Sequence, residues 1–413
     1  MNSSTTKQRR DSTRSTNFTL RDNGINPSFL PLSSIQTSVS SQLQAQCLLI
    51  LSSQILHLST TQTTAVCCLI TYTSLVSSST VDLDLYISSE HEYPLPPQVL
   101  MSKTLVKLKL AGTDEFIIDV REVSLPKLKT LHMNDVSFAD ESGAAFGKLV
   151  SGCHVLEELV MVKMTWDFCG ACSVSNPTLK RLIIYCEYDE ENPESVSLDT
   201  PSLVYLELTD TVAAKYPKMN LDSLVEASVG IRMTPGQVFR GRDLVNRHYG
   251  YKLRKDVSAT DFLMGISHVK ILYLSSQALE GLVHKSTNGC GNMCLCKPLK
   301  NPSCLSSSAV KVLKIILSVD IDDEGMEMEQ IMHFLEKMPR LEQLVVYFNI
   351  SYDPSVFDLS KKLQSIPRIA SPKCNFQVIS PNLSLSSTLP STLSKKWSAP
   401  PNEEYSWFLK ALT

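Results

Sequence analysis

From Asn23 to Val81 the chain contains no Asp, Glu, Lys or Arg, and its first 80 residues contain no tryptophan. Ser, Thr and Gln dominate this stretch. The apolar bursts CLLIL and AVCCLI follow neither a helical nor a strand period. Such a segment cannot bury enough apolar surface to offset its ordering entropy, so residues 1–80 are expected to be disordered. The opening MNSSTTKQRRDSTRSTNFTLR has the Ser, Thr and Arg of a transit peptide, but Asp11 and Asp22 fit a disordered tail better. No run of about 18 apolar residues occurs, so no helix is expected to span a membrane. The first apolar run, Cys47–Leu51, is too late and too short for a secretory leader.

Other scarcities narrow the function. A net charge of −3 argues against a general nucleic-acid binder. The twelve cysteines are irregularly spaced in 413 residues, which excludes a dense disulfide framework. Several, Cys153 and Cys186 among them, fall on core positions. Reduced thiols of this kind are expected in the cytoplasm or nucleus. No G-x-S-x-G, H-E-x-x-H or G-x-G-x-x-G occurs, and the eight histidines are scattered. GAAFGKL at Gly143–Leu149 is one residue short of a phosphate loop and reads as a helix. In DIDDEG at Asp320–Gly325, Ile331 stands where a calcium loop needs its bidentate Glu. Cys290, Cys294, Cys296 and Cys304 lack the paired short hooks of a zinc ribbon. No cofactor, no metal and no catalysis are expected.

What the chain does have is a leucine register. The pairs Leu108/Leu110, Leu131/Met133, Leu159/Met161, Leu182/Ile184, Leu206/Leu208, Ala227/Val229, Leu272/Leu274, Ile315/Leu317 and Leu344/Val346 recur down its middle. Successive gaps are 23, 28, 23, 24, 21, 45, 43 and 29 residues, the period of leucine-rich repeats with two long intervals. In L-x-x-L-x-L the last two apolar residues sit two apart, so a strand points both into the core. One repeat cannot bury its own apolar face, but stacked neighbours can. The expected fold is therefore α/β: a leucine-rich-repeat solenoid with a curved parallel sheet and helical or irregular return segments. Order is expected to start near Val81, where VDLDLYIS alternates apolar and polar residues.

Proline precedes several strands (Pro126, Pro177, Pro201, Pro339) and stops the element before each. Three return segments read as helices. ADESGAAFGKLVSGC puts Phe146, Leu149 and Val150 on one face. SATDFLMGI offers Ser258 as N-cap, with Asp261 three residues on. EGMEMEQIMHFLEKM stripes Met328, Ile331, Met332 and Leu335. Arg232–Lys255 breaks the pattern with seven basic residues against Asp243, and reads as a solvated insertion between repeats.

In each strand the residues flanking the inward pair face away from the core, onto the concave surface that solenoids use for binding. These are Lys107, Lys109, Thr130, His132, Glu158, Val160, Arg181, Ile183, Tyr205, Glu207, Tyr273, Gln343 and Val345. The mixture of charges, aromatics and aliphatics suits a protein partner; a nucleic-acid backbone would want Lys and Arg throughout. The binding candidates are Lys107, Lys109, His132, Glu158, Arg181, Tyr205, Glu207, Tyr273 and Gln343. Tyr205, Arg181 and Tyr273 are the expected anchors, since Tyr and Arg dominate interface hot spots.

Residues 81–380 resemble the plant F-box/FBD/leucine-rich-repeat proteins. The resemblance rests on VDLDLYISSEHEYPLPPQVLMSKTLVKLKLAG, VSLPKLKTLHMNDVSF, SGCHVLEELVM and TPSLVYLEL. It rests also on FLEKMPRLEQLVVYF with LSKKLQSIPRIASPKCNFQVIS. The P-R-x-A-S-P-x-C of the FBD domain falls on Pro367, Arg368, Ala370, Ser371, Pro372 and Cys374. Residues 81–320 then form the repeat solenoid, 321–380 an FBD-like C-terminal repeat region, and 381–413 a tail. Members of this family carry an N-terminal F-box that binds the Skp-type adaptor of a cullin ubiquitin ligase. Residues 1–80 show neither its Leu-Pro helix start nor its Trp-rich end, so the F-box pattern is missing here. The resemblance implies a substrate-recognition module for a protein partner, with weak or no adaptor binding. The alternative is a complete Skp-cullin-F-box receptor with a degenerate adaptor-binding region.

Overall fold

The computed structural model describes residues 55–59, 81–88, 93–95, 97–112, 116–140, 142–163, 171–186, 192–234, 236–237, 259–282, 305–317, 324–348, 353–365, 371–379 and 384–386. Among them, one sheet has thirteen strands. Twelve run parallel: β1 (Ile55–Ser59), β2 (Asp82–Ser88), β4 (Lys107–Gly112), β6 (Thr130–Asn134), β8 (Glu158–Val162), β10 (Arg181–Tyr185), β12 (Tyr205–Thr209), β14 (Glu226–Val229), β15 (Ile271–Ser275), β16 (Val312–Leu317), β17 (Gln343–Phe348) and β18 (Asn375–Ile379). The last, β19 (Ser384–Ser386), turns back antiparallel to β18. Two three-stranded parallel sheets lie on the return side. They are β3 (Tyr93–Pro94), β5 (Phe116–Ile118) and β7 (Ser137–Phe138), and β9 (Ala171–Ser175), β11 (Ser195–Asp199) and β13 (Met219–Asn220). The helices are α1 (Ala144–Ser151), α2 (Thr260–Gly265), α3 (Ser276–Leu282), α4 (Glu324–Lys337) and α5 (Asp353–Ser365). This is the leucine-rich-repeat solenoid that the register predicts.

The period-2 pattern explains the sheet. In β4 and β6, half-buried and buried residues alternate strictly. Leu108, Leu131, Leu159, Leu182, Leu206 and Ala227 stand side by side in one inward row and are all fully buried. They share one continuous core with Ile118 of β5, Phe138 of β7, Val174 of β9 and Leu198 of β11. Each such leucine stabilises the fold by about 2–3 kcal/mol through burial alone.

Four expectations are corrected. The sheet begins before Val81, because Ile55–Ser59 pairs residue for residue with Asp84–Ser88. A strand at that position can borrow a finished sheet edge, which no local period reveals. The rest of residues 1–80 lies outside the described residues. The eighth inward pair is Leu313/Ile315, since Leu272 aligns with Leu313 and Leu274 with Ile315. The slip from Ile315/Leu317 is two residues, so the parity survives, and Leu317 is buried as well. The return segments of the N-terminal repeats are strands as much as helices. Finally, α2 has Ala259 as its N-cap, with no side-chain cap; Ser258 lies outside the described residues, as do Met328's side chain, residues 241–255 and Cys290–Cys304.

The expected helices form. Phe146, Leu149 and Val150 of α1 are buried, as are Ile331 and Leu335 of α4. Both helix ends meet a buried polar side chain from the strand entry of the next repeat, before β10 and β18 respectively. Asn176 Nδ2 donates to the carbonyls of Val150 (3.1 Å) and Cys153 (2.9 Å). Ser371 Oγ reaches the carbonyls of Leu335 and Met338, both at 3.0 Å. In each case a residue directly before a proline adds a side-chain donor to carbonyls at the helix end, where intrahelical partners run out. Ser371 belongs to the P-R-x-A-S-P-x-C stretch, so that part of the FBD resemblance has a structural role. Cys153, Cys172, Cys186 and Cys374 are buried, and burial pushes the Cys153 thiol up to about 12.

Candidate protein-interaction face

The parallel register sorts the outward side chains into rows. The first row reads Asp82, Lys107, Thr130, Glu158, Arg181, Tyr205, Glu226, Ile271, Val312, Gln343, Asn375. The second reads Asp84, Lys109, His132, Val160, Ile183, Glu207, Ser228, Tyr273, Lys314, Val345, Gln377. All nine candidates fall on these two rows: Lys107, Glu158, Arg181, Tyr205 and Gln343 on the first, Lys109, His132, Glu207 and Tyr273 on the second.

Five of the nine form one chain of contacts across β6, β8, β10 and β12. His132 Nε2 lies 3.3 Å from Glu158 Oε1. Arg181 Nε lies 3.9 Å from the same oxygen, and its guanidinium sits 4.2 Å above the ring of Tyr205. Tyr205 in turn donates from its hydroxyl to Glu207 Oε2 at 2.8 Å. His132, followed by Arg181 and Lys107, holds the Glu158 carboxyl below the usual carboxylate range. Glu207 is almost wholly buried and acts as the fixed end of this chain, locking the Tyr205 hydroxyl. Lys109 pairs with Asp84 at 3.7 Å. Tyr273 lies two rungs away from this chain; Lys314 Nζ contacts its hydroxyl and stacks 4.2 Å above its ring. Gln343 stands apart, with only a 3.5 Å contact to Gln377.

The outward apolar residues are not simply solvated. Val160, Val162, Ile183 and Tyr185 form a cluster separate from the core, against which Tyr205 packs. Ile316, Val345, Tyr347 and Ile379 form another, against which Tyr273 packs. Each cluster thus backs one of the two expected tyrosine anchors. Sequence reading missed Tyr185, Ile316, Tyr347 and Lys314. The signal was present in LVMV, LIIY and LVVY, whose apolar residues occupy both parities of the strand.

Comparison with known proteins agrees with this geometry. Residues 72–226 match the family model described as FBD-associated F-box protein At5g56370, LRR repeats. The chain is 50% identical to F-box/LRR-repeat protein At3g59200 of Arabidopsis thaliana over 382 residues, covering 79% of this chain and 72% of that protein. It is 45% identical to F-box/LRR-repeat protein At3g59210 of Arabidopsis thaliana over 368 residues, covering 76% of this chain and 75% of that one. Putative F-box/FBD/LRR-repeat protein At3g59240 of the same organism is 37% identical over 363 residues, 75% of this chain and 70% of its own length. No solved structure matches. With its parallel leucine rows, its Ser371-capped C-terminal repeat and half its aligned residues shared with such a relative, this chain belongs to the plant F-box/LRR-repeat protein family.

Proposed function

We propose that the chain is the substrate-recognition module of an F-box-type ubiquitin-ligase receptor and binds a protein partner on its concave sheet face. The observation that carries this reading is the linked set His132, Glu158, Arg181, Tyr205 and Glu207. These side chains are positioned across four strands and rest on an apolar cluster. Aromatic and arginine side chains fixed before contact lose little conformational entropy on binding, which is the property of interface anchors. The set mixes both charges, which fits a protein surface better than a phosphate backbone. Cytoplasm or nucleus is the proposed setting.

Once a partner is in hand, replacing Arg181, Tyr205 and Tyr273 with Ala is expected to weaken binding by roughly 2 kcal/mol or more in total. Unchanged affinity in a folded triple variant places the partner elsewhere, with residues 232–255 next in line. The adaptor is a separate question. The relatives carry F-box in their names, whereas residues 1–80 lack that pattern. Binding of the full chain to a Skp-type adaptor is therefore expected to be weak or absent in a pull-down. Submicromolar binding instead supports a complete receptor with a degenerate adaptor-binding region.

A further inference from the structure

The first outward row has two halves of different chemistry. From β2 to β12 it carries Asp82, Lys107, Glu158 and Arg181, and most charges on this part of the face have partners. From β14 onward it reads Glu226, Ile271, Val312, Gln343, Asn375 on five successive strands. The first four are partly exposed and Asn375 is exposed. Glu226 opens this half, and among the described residues its carboxylate has neither an ion-pair nor a hydrogen-bond partner. The nearest cations on the two rows, Arg181 and Lys314, each stand two strands away and are stacked on Tyr205 and Tyr273, while Glu207 on adjacent β12 is a second acid. A partner that covered Glu226 with apolar atoms alone would strip water from an uncompensated carboxylate, which opposes binding. The carboxylate therefore requires a cation from whatever covers it, and the two neighbours that follow require aliphatic contact.

Spacing selects the shape of that partner. Adjacent strands stand about 4.8 Å apart. A helix advances about 5.4 Å per turn, so a helix laid across the strands offers nearly one side chain per strand. An extended chain repeats on one side only every ~6.8 Å and falls out of step within two strands. The row from β14 to β18 spans about 19 Å, the length of roughly 13 helical residues.

We propose that the Glu226–Asn375 half of the concave face takes an amphipathic helix of the protein partner, with a Lys or Arg over Glu226 and aliphatic side chains in the next two turns over Ile271 and Val312. This rests on the concave face being the binding face. It adds which half engages the partner and by what chemistry. Gln343 and Asn375 then receive the polar end of the helix.

Panning a display library of 14-residue helical peptides on the full-length chain tests it. The enriched peptides are expected to carry a basic residue one turn from two aliphatic ones. Measured by fluorescence anisotropy, their affinity is expected to fall about tenfold in Glu226→Gln and to vanish in Val312→Asp. In Glu226→Lys the panning is expected to select Asp or Glu at the same position instead. Glu226→Gln is isosteric at a partly exposed site, and unchanged thermal unfolding separates lost binding from lost fold. Peptides insensitive to Glu226→Lys and Val312→Asp but lost in Arg181→Ala/Tyr205→Ala overturn this inference and leave the proposed function standing. Peptides insensitive to all of these substitutions overturn both. A failure to enrich any helix over the heat-unfolded chain overturns the helix proposal.

Discussion

Asn176 offers a quantitative test of how the repeats are joined. It is 1% exposed. Its Nδ2 donates to the Val150 and Cys153 carbonyls at 3.1 and 2.9 Å, and its Oδ1 accepts from the Thr178 amide at 3.0 Å and the Thr178 hydroxyl at 2.9 Å. Asn176→Ala removes all four contacts. The Thr178 hydroxyl keeps an alternative acceptor in the Leu156 carbonyl at 2.9 Å, and the Val150 and Cys153 carbonyls keep the Cys153 and Leu156 amides at 3.3 and 3.2 Å, so three bonds are lost but only the Thr178 amide is left unpaired. At ~1 kcal/mol for each of the lost bonds, with desolvation added where the Thr178 amide stays unpaired, the expected loss is about 2–4 kcal/mol. Asn176→Asp is the sharper variant. It keeps the acceptor and the volume but turns a carboxylate oxygen toward two carbonyl oxygens in a buried site. It is expected to be less stable than the alanine variant. Urea unfolding of the full chain, followed by far-UV circular dichroism, measures both, with the slope compared to detect loss of cooperativity. An Asn176→Ala loss below ~0.5 kcal/mol, or an Asp variant as stable as the parent, refutes the reasoning.

Three further outcomes follow from the same packing logic. Ser371→Ala removes the hydroxyl donor from the Leu335 carbonyl and leaves the Met338 carbonyl with the Leu341 amide, and is expected to cost about 1–2 kcal/mol in the same urea assay. Gly152→Ala keeps an ordinary helical φ of −74° but sets its new Cβ 2.6 Å from Val123 Cγ1, so a loss of ~1–3 kcal/mol is expected, with partial rescue by Val123→Ala. His333 is 5% exposed, has no hydrogen-bond partner for either ring nitrogen among the described residues, and lies edge-on to Phe334. Burial, aided by Lys337, holds its pKa below the ordinary 6.5, so the unfolded chain takes up the proton first. Its stabilising contribution is therefore complete above pH 6.5 and lost as pH falls below that value. Thermal midpoints between pH 7.5 and 5 should drop, and His333→Leu should flatten that part of the profile.

Much of this could be read from residues alone, because a parallel solenoid writes its core as a local pattern. Leu108/Leu110 through Ala227/Val229 stand in register as expected, since short, nearly constant intervals leave no freedom for a slip. The slip at Leu313/Ile315 follows the 41-residue interval from Leu272, where apolar residues of one parity run on through VLKIIL and two registers satisfy the core equally well. Strand β1 was illegible because its stability comes from the edge of β2 rather than from its own composition. The rows of candidate residues were legible from parity. Their contacts were not: the Glu158 link to both His132 and Arg181 depends on which strands become neighbours and on rotamers that no period encodes. The inward-packing role of Ser371 was likewise hidden, since its motif reads as a family signature and not as a helix cap.

Site-resolved photo-crosslinking tests the binding face most directly. A benzophenone side chain is placed at Tyr205, on the concave row, and in a separate variant at Lys148, on the exposed side of α1. Both proteins are expressed in plant tissue and irradiated. Recognition on the concave face predicts a discrete protein adduct from position 205 that disappears when Arg181→Ala is added, and none from position 148. An adduct from position 148 with none from 205, in proteins of equal stability, would contradict it.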